Sequence, residues 1–587
     1  MMMIKLINQK NMVMSNLKLL RKALKTLNLD YFILPNNDEF SNEYLPKNVK
    51  RLEFITDFTG SNAVIIVGQK KAAFFTDGRY TIQAAAEVNN KDYEIYNLAD
   101  KSWIKWLLEN SQNNDKIGFD SKLHSISAIN YYQKILEKRK IVFLKENPVD
   151  QIWSSRLKAP TTKVFIHDSK YAGISSEKKI KIITKNFGKN AEALILNSPI
   201  SICWLLNIRA TDIDFTPIAL CYAIIYKNGK VDLFIDEKRL DEKVKKHLKN
   251  VKIIAPENLE KNILLLKNKK IQIDQNYCNY WLTSILQKSE IIEATDPCLI
   301  HKACKNSIEI KGMIKAHEID GLAVTKFLLW LKNEAKNIDE IKAAKKLLEF
   351  RKQNKEFFSL SFETISGFAS NGAIVHYRVT KKTNKKIEGN SLYLVDSGGQ
   401  YFSGTTDITR TIAVGKPTSE QKHNFTLVLK GHIALATAEF SNKTTGSDLD
   451  ILARQFLQKE GKDYDHGTGH GVGCFLSVHE GPQNISKRKN EIYLKPGMII
   501  SNEPGYYKSG EYGIRIENLV LVEKSKKKGF LKFKTITLAP IDLNLIDFKL
   551  LTEAEKSWVY NYHQEIYKKL KLTKLKKIQL KKIIDFK

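Results

Sequence analysis

The chain reads as a multidomain protein of the α/β and α+β classes, with two similar α/β domains followed by one pseudo-symmetric α+β domain. Three observations predict this. Its 587 residues exceed what one ordinary hydrophobic core accommodates. The strand and helix patterns of the first 150 residues recur in kind between 160 and 300. Beyond Ile308, the succession helix, helix, strands occurs twice. The divisions read as 1–155, 156–304 and 305–545, with a C-terminal extension over 546–587.

In the first domain, an amphipathic basic helix over Ser15 to Thr26 leads into the strand YFILP, then AVIIVG and AAFFT. Helical patterns follow near 102–109 and 127–137, which together make a mixed sheet with helices on it. Within this domain, TDGRYTIQAAAEV begins as a turn at Asp77-Gly78 and continues as a helix, with Arg79 at the junction. Taken alone, Arg79 has the ordinary reading of a surface arginine. A proline between polar residues in SSRLKAPTTK marks the boundary. Past it, EALILN repeats YFILPN in kind, and CYAIIYKNGKVDLFIDEKRL repeats AVIIVGQKKAAFFTDGRY. The second copy carries Ile235-Asp236-Glu237 where the first has Thr-Asp-Gly. Any function of Arg79 therefore belongs to the first copy alone.

The third domain opens with a helix from Ile308 to about Lys332 and a second helix after Ile338. ETISGFASNGAIVHY reads as strand, and LYLVDSGGQYFSGTTDITRT as an antiparallel hairpin with Asp396 near the end of one run and Asp407 inside the other. Helices over 419–440 and 447–460 precede the strands GMIISNEPGYY and YGIRIENLVLVE. From Thr552, one Lys-rich amphipathic helix is expected to pack its Leu/Ile stripe on the body.

Composition narrows the function classes. Hydrophobic residues make up 43% and aromatics 10%, as in a folded globular protein. No apolar run reaches the ~18 residues a membrane span needs, and the N-terminal stretch has no sustained signal-peptide core. Methionines crowd that stretch, which makes Met14 a candidate start. The six cysteines form no Cys-x-x-Cys pair, so they read as free thiols in a reducing, cytoplasmic setting. The net charge of +31 comes from lysines spread along the chain, not from an Arg/aromatic cluster, and argues for compositional bias over nucleic-acid binding.

The chemistry-bearing residues gather in the third domain. A fold-back of the hairpin brings Asp396 and Asp407 opposite each other, with Cβ atoms about 5 Å apart. Two carboxylates that close repel unless a proton or a cation lies between them; the ordinary alternative is a pair of turn aspartates. Further ionisable residues lie in AIVHYR (His376), DHGTGHGVG (His466, His470), LSVHEGP (His479), SNEPGYY (Glu503) and YGIRIEN (Glu517). Singly, a histidine is an ordinary polar residue and SNEPG an ordinary turn. The glycines around His470 are harder to explain that way, because each costs up to ~1 kcal/mol of folding stability.

The ordered set Asp396, Asp407, His470, Glu503 and Glu517, with its eleven-residue step and the phrases HGTGHGVG, NEPGYY and GIRIEN, resembles the two-metal site of the pita-bread metallopeptidases. With FTGSNAV, TDGRY, ASNGAIVHY and VLKGHIA, the chain is similar over nearly its whole length to the long, three-domain Xaa-Pro aminopeptidases. The resemblance implies two creatinase-type N-terminal domains before a pita-bread catalytic domain. It implies that Asp396 and Glu517 bridge two ions, that Asp407 completes one site, and that His470 with Glu503 completes the other. His376, His466 and His479 are then catalytic residues off the metals, with His376, His479 and Arg79 binding substrate. Arg515, two residues before Glu517, is a candidate partner for the carboxylates. A homodimer is likewise implied.

Four carboxylates and one imidazole are mostly hard donors, which suit Mn²⁺. Four negative charges balance two divalent ions, leaving a bridging hydroxide as the nucleophile. The expected activity is cytoplasmic release of an N-terminal residue from peptide substrates with proline second, with neither nucleic acid nor membrane as partner. Proline's missing N–H and fixed φ make such bonds resistant to general peptidases. A prolidase, restricted to dipeptides, is the alternative within the class; the duplicated N-terminal domain favours the aminopeptidase. A metal-free pita-bread binding module is the alternative outside it, and such a protein is expected to lose ligands that this chain retains.

Overall fold

The computed structural model describes residues 15–333, 335 and 337–584, so the candidate start at Met14 lies outside the described residues. They form two compact units, one ending at Ala159 and including Asn279–Thr283, the other made of Pro160–Cys278 and the chain from Ser284.

In the first unit, Ser15 caps the helix Asn16–Thr26 by accepting from the Lys18 N–H, and Leu17, Leu20 and Leu24 are buried at helical spacing. The six-stranded sheet runs in the order Glu94–Asn97, Ala72–Thr76, Ala63–Gly68, Tyr31–Pro35, Lys116–Asp120, Lys140–Leu144. Its first three strands in sequence pair antiparallel and the remainder parallel. The strand Ala72–Thr76 is buried along its whole length, as an apolar run covered on both faces requires.

The second unit contains the copy. Its sheet runs Val251–Ile254, Val231–Phe234, Tyr222–Tyr226, Ala193–Leu196, Lys270–Ile273, Glu290–Glu293. Strand order and every parallel or antiparallel pairing repeat those of the first sheet.

In the same unit, helices Ser307–Asn333 and Glu340–Lys352 precede a sheet of Ile365–Phe368, Ser391–Ser397 and Ile408–Val414. Helices Ser419–Ala436 and Gly446–Gln458, with the edge strand Glu439–Ser441 between them, then precede the other five strands of a six-stranded antiparallel sheet, so helix, helix, strands recurs with that one strand inserted. Two details differ from the sequence reading. AIVHY is not strand: the ladder stops at Phe368, Ala369 turns left-handed at φ 52°, and Ala369–Ala373 forms a 3₁₀ helix followed by a turn. The cause is tertiary. Gly372 and Gly513 touch backbone to backbone, and a Cβ on Gly513 would collide with the Gly372 carbonyl. The buried Glu340 carboxylate ties this segment down by accepting from the Phe368 and Lys385 N–H groups, the Asn371 amide and the Tyr377 hydroxyl.

The Lys-rich end is also two helices, Glu553–Lys569 and Lys574–Ile584. Their Val559, Tyr562, Ile566, Leu580 and Ile584 share a core with Phe425, Val428 and Leu429. Each such aliphatic side chain contributes ~1.5–3 kcal/mol on leaving water, so the extension is anchored. All six cysteines are free, and five are buried. No helix of the described residues is long and apolar enough to cross a membrane.

Candidate dinuclear metal centre

The hairpin forms as Ser391–Ser397 against Ile408–Val414, with Asp396 facing Thr409 across the ladder. Asp407 lies just before the second strand, not inside it. Its displacement follows from Gly399–Tyr401 and Gly404–Thr405, which leave the main sheet and pair with each other and with Phe357–Leu360. Glu517 enters from beyond the strand Tyr512–Arg515, and its N–H donates to the Thr409 carbonyl at 3.2 Å. The Thr409 hydroxyl donates to Glu517 Oε2 at 2.8 Å, so one threonine aligns the segments that carry Asp407 and Glu517.

Oxygens of Asp396, Asp407 and Glu517 lie within 4.8 Å of one another, and so do ligand atoms of His470, Glu503 and Glu517. The two groups share Glu517. Asp407 joins them from another side, with Oδ2 3.4 Å from His470 Nε2, and His470 Nε2 is also 3.4 Å from Glu503 Oε1. Asp396, by contrast, belongs only to the group with Asp407 and Glu517, and its Oδ2 accepts from Arg515 Nη2 at 2.7 Å. Asp407 thus falls in two of the three groups and Asp396 in one.

The imidazole is pre-oriented. His470 Nδ1 donates to the Gly471 carbonyl at 2.9 Å, which turns Nε2 towards the carboxylates. The His470 N–H donates to Ser501 Oγ, which donates in turn to Glu503 Oε1. Arg515 spans Asp396, Thr409 and the Tyr507 hydroxyl.

This cluster fits divalent cations. Asp396 Oδ1 and Glu517 Oε1 are buried without a hydrogen-bond partner, a costly arrangement for carboxylates unless a positive charge meets them. Burial, then the neighbouring carboxylates, pushes Glu517 well above the usual range. Burial pushes Glu503 up to about 7 and also raises Asp396. His470 is held up at about 9 because Asp407 and Glu503 outweigh the burial that lowers it.

The remaining histidines surround this centre differently. His466 Nε2 pairs with the Tyr507 hydroxyl at 2.8 Å, which connects it through Arg515 to Asp396. His376 sits on the turn after the 3₁₀ helix, beside Val375, whose carbonyl accepts from Arg515. His479, expected off the metals, lies nearer: its ring meets that of His470 edge to face at 4.4 Å, and it forms a ligand group with Asp407 and His470. Arg79, in the other unit, forks onto its own turn, with Nε and Nη2 donating to Asp77 at 2.9 and 2.7 Å. Thr409, Ser501 and Tyr507 were not singled out from the sequence; Thr409 and Tyr507 lie inside the motifs TDITRT and NEPGYY.

Sequence models of known families match along the chain. Metallopeptidase family M24 matches residues 311–524, and the creatinase/prolidase N-terminal domain matches 16–152 and again 155–309. The C-terminal region of peptidase M24 matches 529–580. A Talaromyces marneffei protein named probable Xaa-Pro aminopeptidase P is 38% identical over 579 residues, covering 94% of this chain and 88% of that protein. One of the same name from Laccaria bicolor is 39% identical, covering 94% and 89%. The crystal structure of an X-prolyl aminopeptidase from Caenorhabditis elegans, described as a cytosolic enzyme with a di-nuclear active site, superposes with a TM-score of 0.93. Its sequence identity is 31%, with 97% of this chain and 100% of that one covered.

Proposed function

This chain belongs to metallopeptidase family M24, beside proteins named Xaa-Pro aminopeptidase P, and on that premise we propose that it removes the N-terminal residue from peptides with proline second. It is a hydrolase and a metallo-exopeptidase. The observation that carries the reading is the pair of ligand groups overlapping at Glu517, with two orphaned buried carboxylate oxygens among them.

Two divalent ions, Mn²⁺ by the hardness of the donors, supply an activated water and a Lewis acid when bound. Asp396, Asp407 and Glu517 on one side, and His470 and Glu503 with Glu517 on the other, would hold them. Arg515 fixes Asp396 so that one of its oxygens is kept for the ion. His376, His466 and His479 face the substrate, where their N–H groups bind the scissile carbonyl oxygen as it gains charge. The protein acts in the cytoplasm as a homodimer; its buried free thiols suit a reducing compartment, and the C. elegans enzyme is described as cytosolic. The working domain divisions stay at 155/156, 304/305 and 545/546.

The metal-replete enzyme is expected to cleave Xaa-Pro-Xaa tripeptides with a higher kcat/KM than Xaa-Pro dipeptides. Cleavage confined to dipeptides would make it a prolidase instead.

Arg79 is proposed to bind the substrate beyond the scissile bond. An arginine used only for binding contributes about equally to ground and transition states, so Arg79→Ala should raise KM more than it lowers kcat. The effect should grow with peptide length, while metal content stays the same. A KM that does not move along a series of increasing length returns Arg79 to its pairing with Asp77.

A further inference from the structure

The second α/β domain lacks the Asp-Gly-Arg turn of the first, yet it contributes one fully buried cation to the catalytic domain. Arg209 ends the two-residue strand Ile208–Arg209 and is 1% exposed. Among the described residues it forms no ion pair; its guanidinium donates only to backbone carbonyls. Nη1 donates to Cys203 and Ile208 in its own domain, both at 2.9 Å. Nε donates to Phe475 at 2.7 Å and Nη2 to Cys474 at 3.4 Å.

Those two carbonyls belong to the loop that leaves His470 and returns to His479. Phe475, midway, is left-handed at φ 51°, a conformation that a bulky L residue keeps only when its surroundings hold it. Its ring lies 5.8 Å from the Arg209 guanidinium and packs between His167 of the second domain and Phe358 and Phe402 of the catalytic domain. The next carbonyl, Leu476, accepts from Gln400 Nε2 at 2.7 Å. Beyond His479, the buried Glu480 is gripped by Lys302 and Lys305 at 2.9 and 2.6 Å.

We propose that Arg209 is a positioning residue for the reaction: it braces the Cys474–Phe475 turn so that His470 and His479 meet at their working separation. The proposal rests on the aminopeptidase reading above. It gives the second domain a mechanical part in catalysis, in place of the substrate-binding part expected of the first.

Arg209→Met retains the aliphatic stem and removes the fork. Its kcat should fall about tenfold or more, the scale on which outer partners act, with KM within about threefold of the parent. Two equivalents of metal should remain, and hydrogen exchange should rise at amides 472–479 without rising across 160–200. Arg209→Lys should recover part of kcat, because one ammonium cannot span both carbonyls. A kcat within about twofold of the parent overturns the proposal, and so does exchange that rises throughout the second domain. If Arg209→Met does not fold, Phe475→Leu carries the test: it should show the same kcat loss and local exchange, and a parental kcat there also overturns the proposal. A parent protein without aminopeptidase activity would defeat the functional reading alone, since the exchange pattern still decides whether Arg209 holds the loop.

Discussion

Asp407→Asn is expected to lose metal and turnover together. The asparagine keeps the side chain's size, so the small hairpin that sets residue 407 outside the ladder survives. What disappears is one negative charge and one anionic oxygen at a residue 4% exposed. Asp407 lies 3.4 Å from His470 and in a group with Asp396 and Glu517, so both halves of the cluster depend on it. The fall in kcat should exceed the ~10–100-fold that losing an outer partner costs. Elemental analysis and kinetics on the same preparation check this. Two full equivalents of metal with normal turnover would remove Asp407 from the centre.

His376→Ala is expected to behave in the opposite way, keeping both metals while kcat falls roughly 10²–10³-fold, as when one oxyanion donor is lost. The turn itself should persist, because its anchors are the Glu340 carboxylate, Asn371 and Tyr377, none of which is altered. His376 also belongs to none of the ligand groups found among the described residues. Metal loss from this variant would make it a ligand.

The duplicated sheets were legible because apolar runs and turns recur at matching offsets, whereas their strand order comes from the structure. The segments that carry the candidate ligands were legible for a different reason: carboxylates at strand ends and glycines crowded around a histidine stand out from an apolar pattern, and those glycines let backbones meet, as Gly469 does at the Ser501 carbonyl. What stayed hidden depends on contacts distant in sequence. The strand expected at AIVHY fails because Gly372 meets Gly513, some 140 residues on. Asp407 reads as a strand residue until Phe357–Leu360 draws the intervening chain away. Nor does the sequence show Arg515 on Asp396 Oδ2, across 119 residues. Arg209 sits in LNIRATD, which carries no motif, and its importance lies in two carbonyls some 265 residues away.

Arg410 ties the C-terminal helix Glu553–Lys569 to the candidate centre. Its guanidinium supports Glu517 from behind by donating to the Glu517 carbonyl at 2.7 Å, and it reaches the Asn518 side chain and the Tyr562 hydroxyl at 2.8 Å each. Tyr562 also donates to the Ala539 carbonyl, and His563 accepts from the Ile541 N–H. The candidate ligands end at residue 517, yet one hydrogen bond on the guanidinium that backs the last of them comes from residue 562. The C-terminal extension is thus mechanically continuous with the candidate centre, and a disturbance of the helix Glu553–Lys569 would reach Glu517 through a single guanidinium.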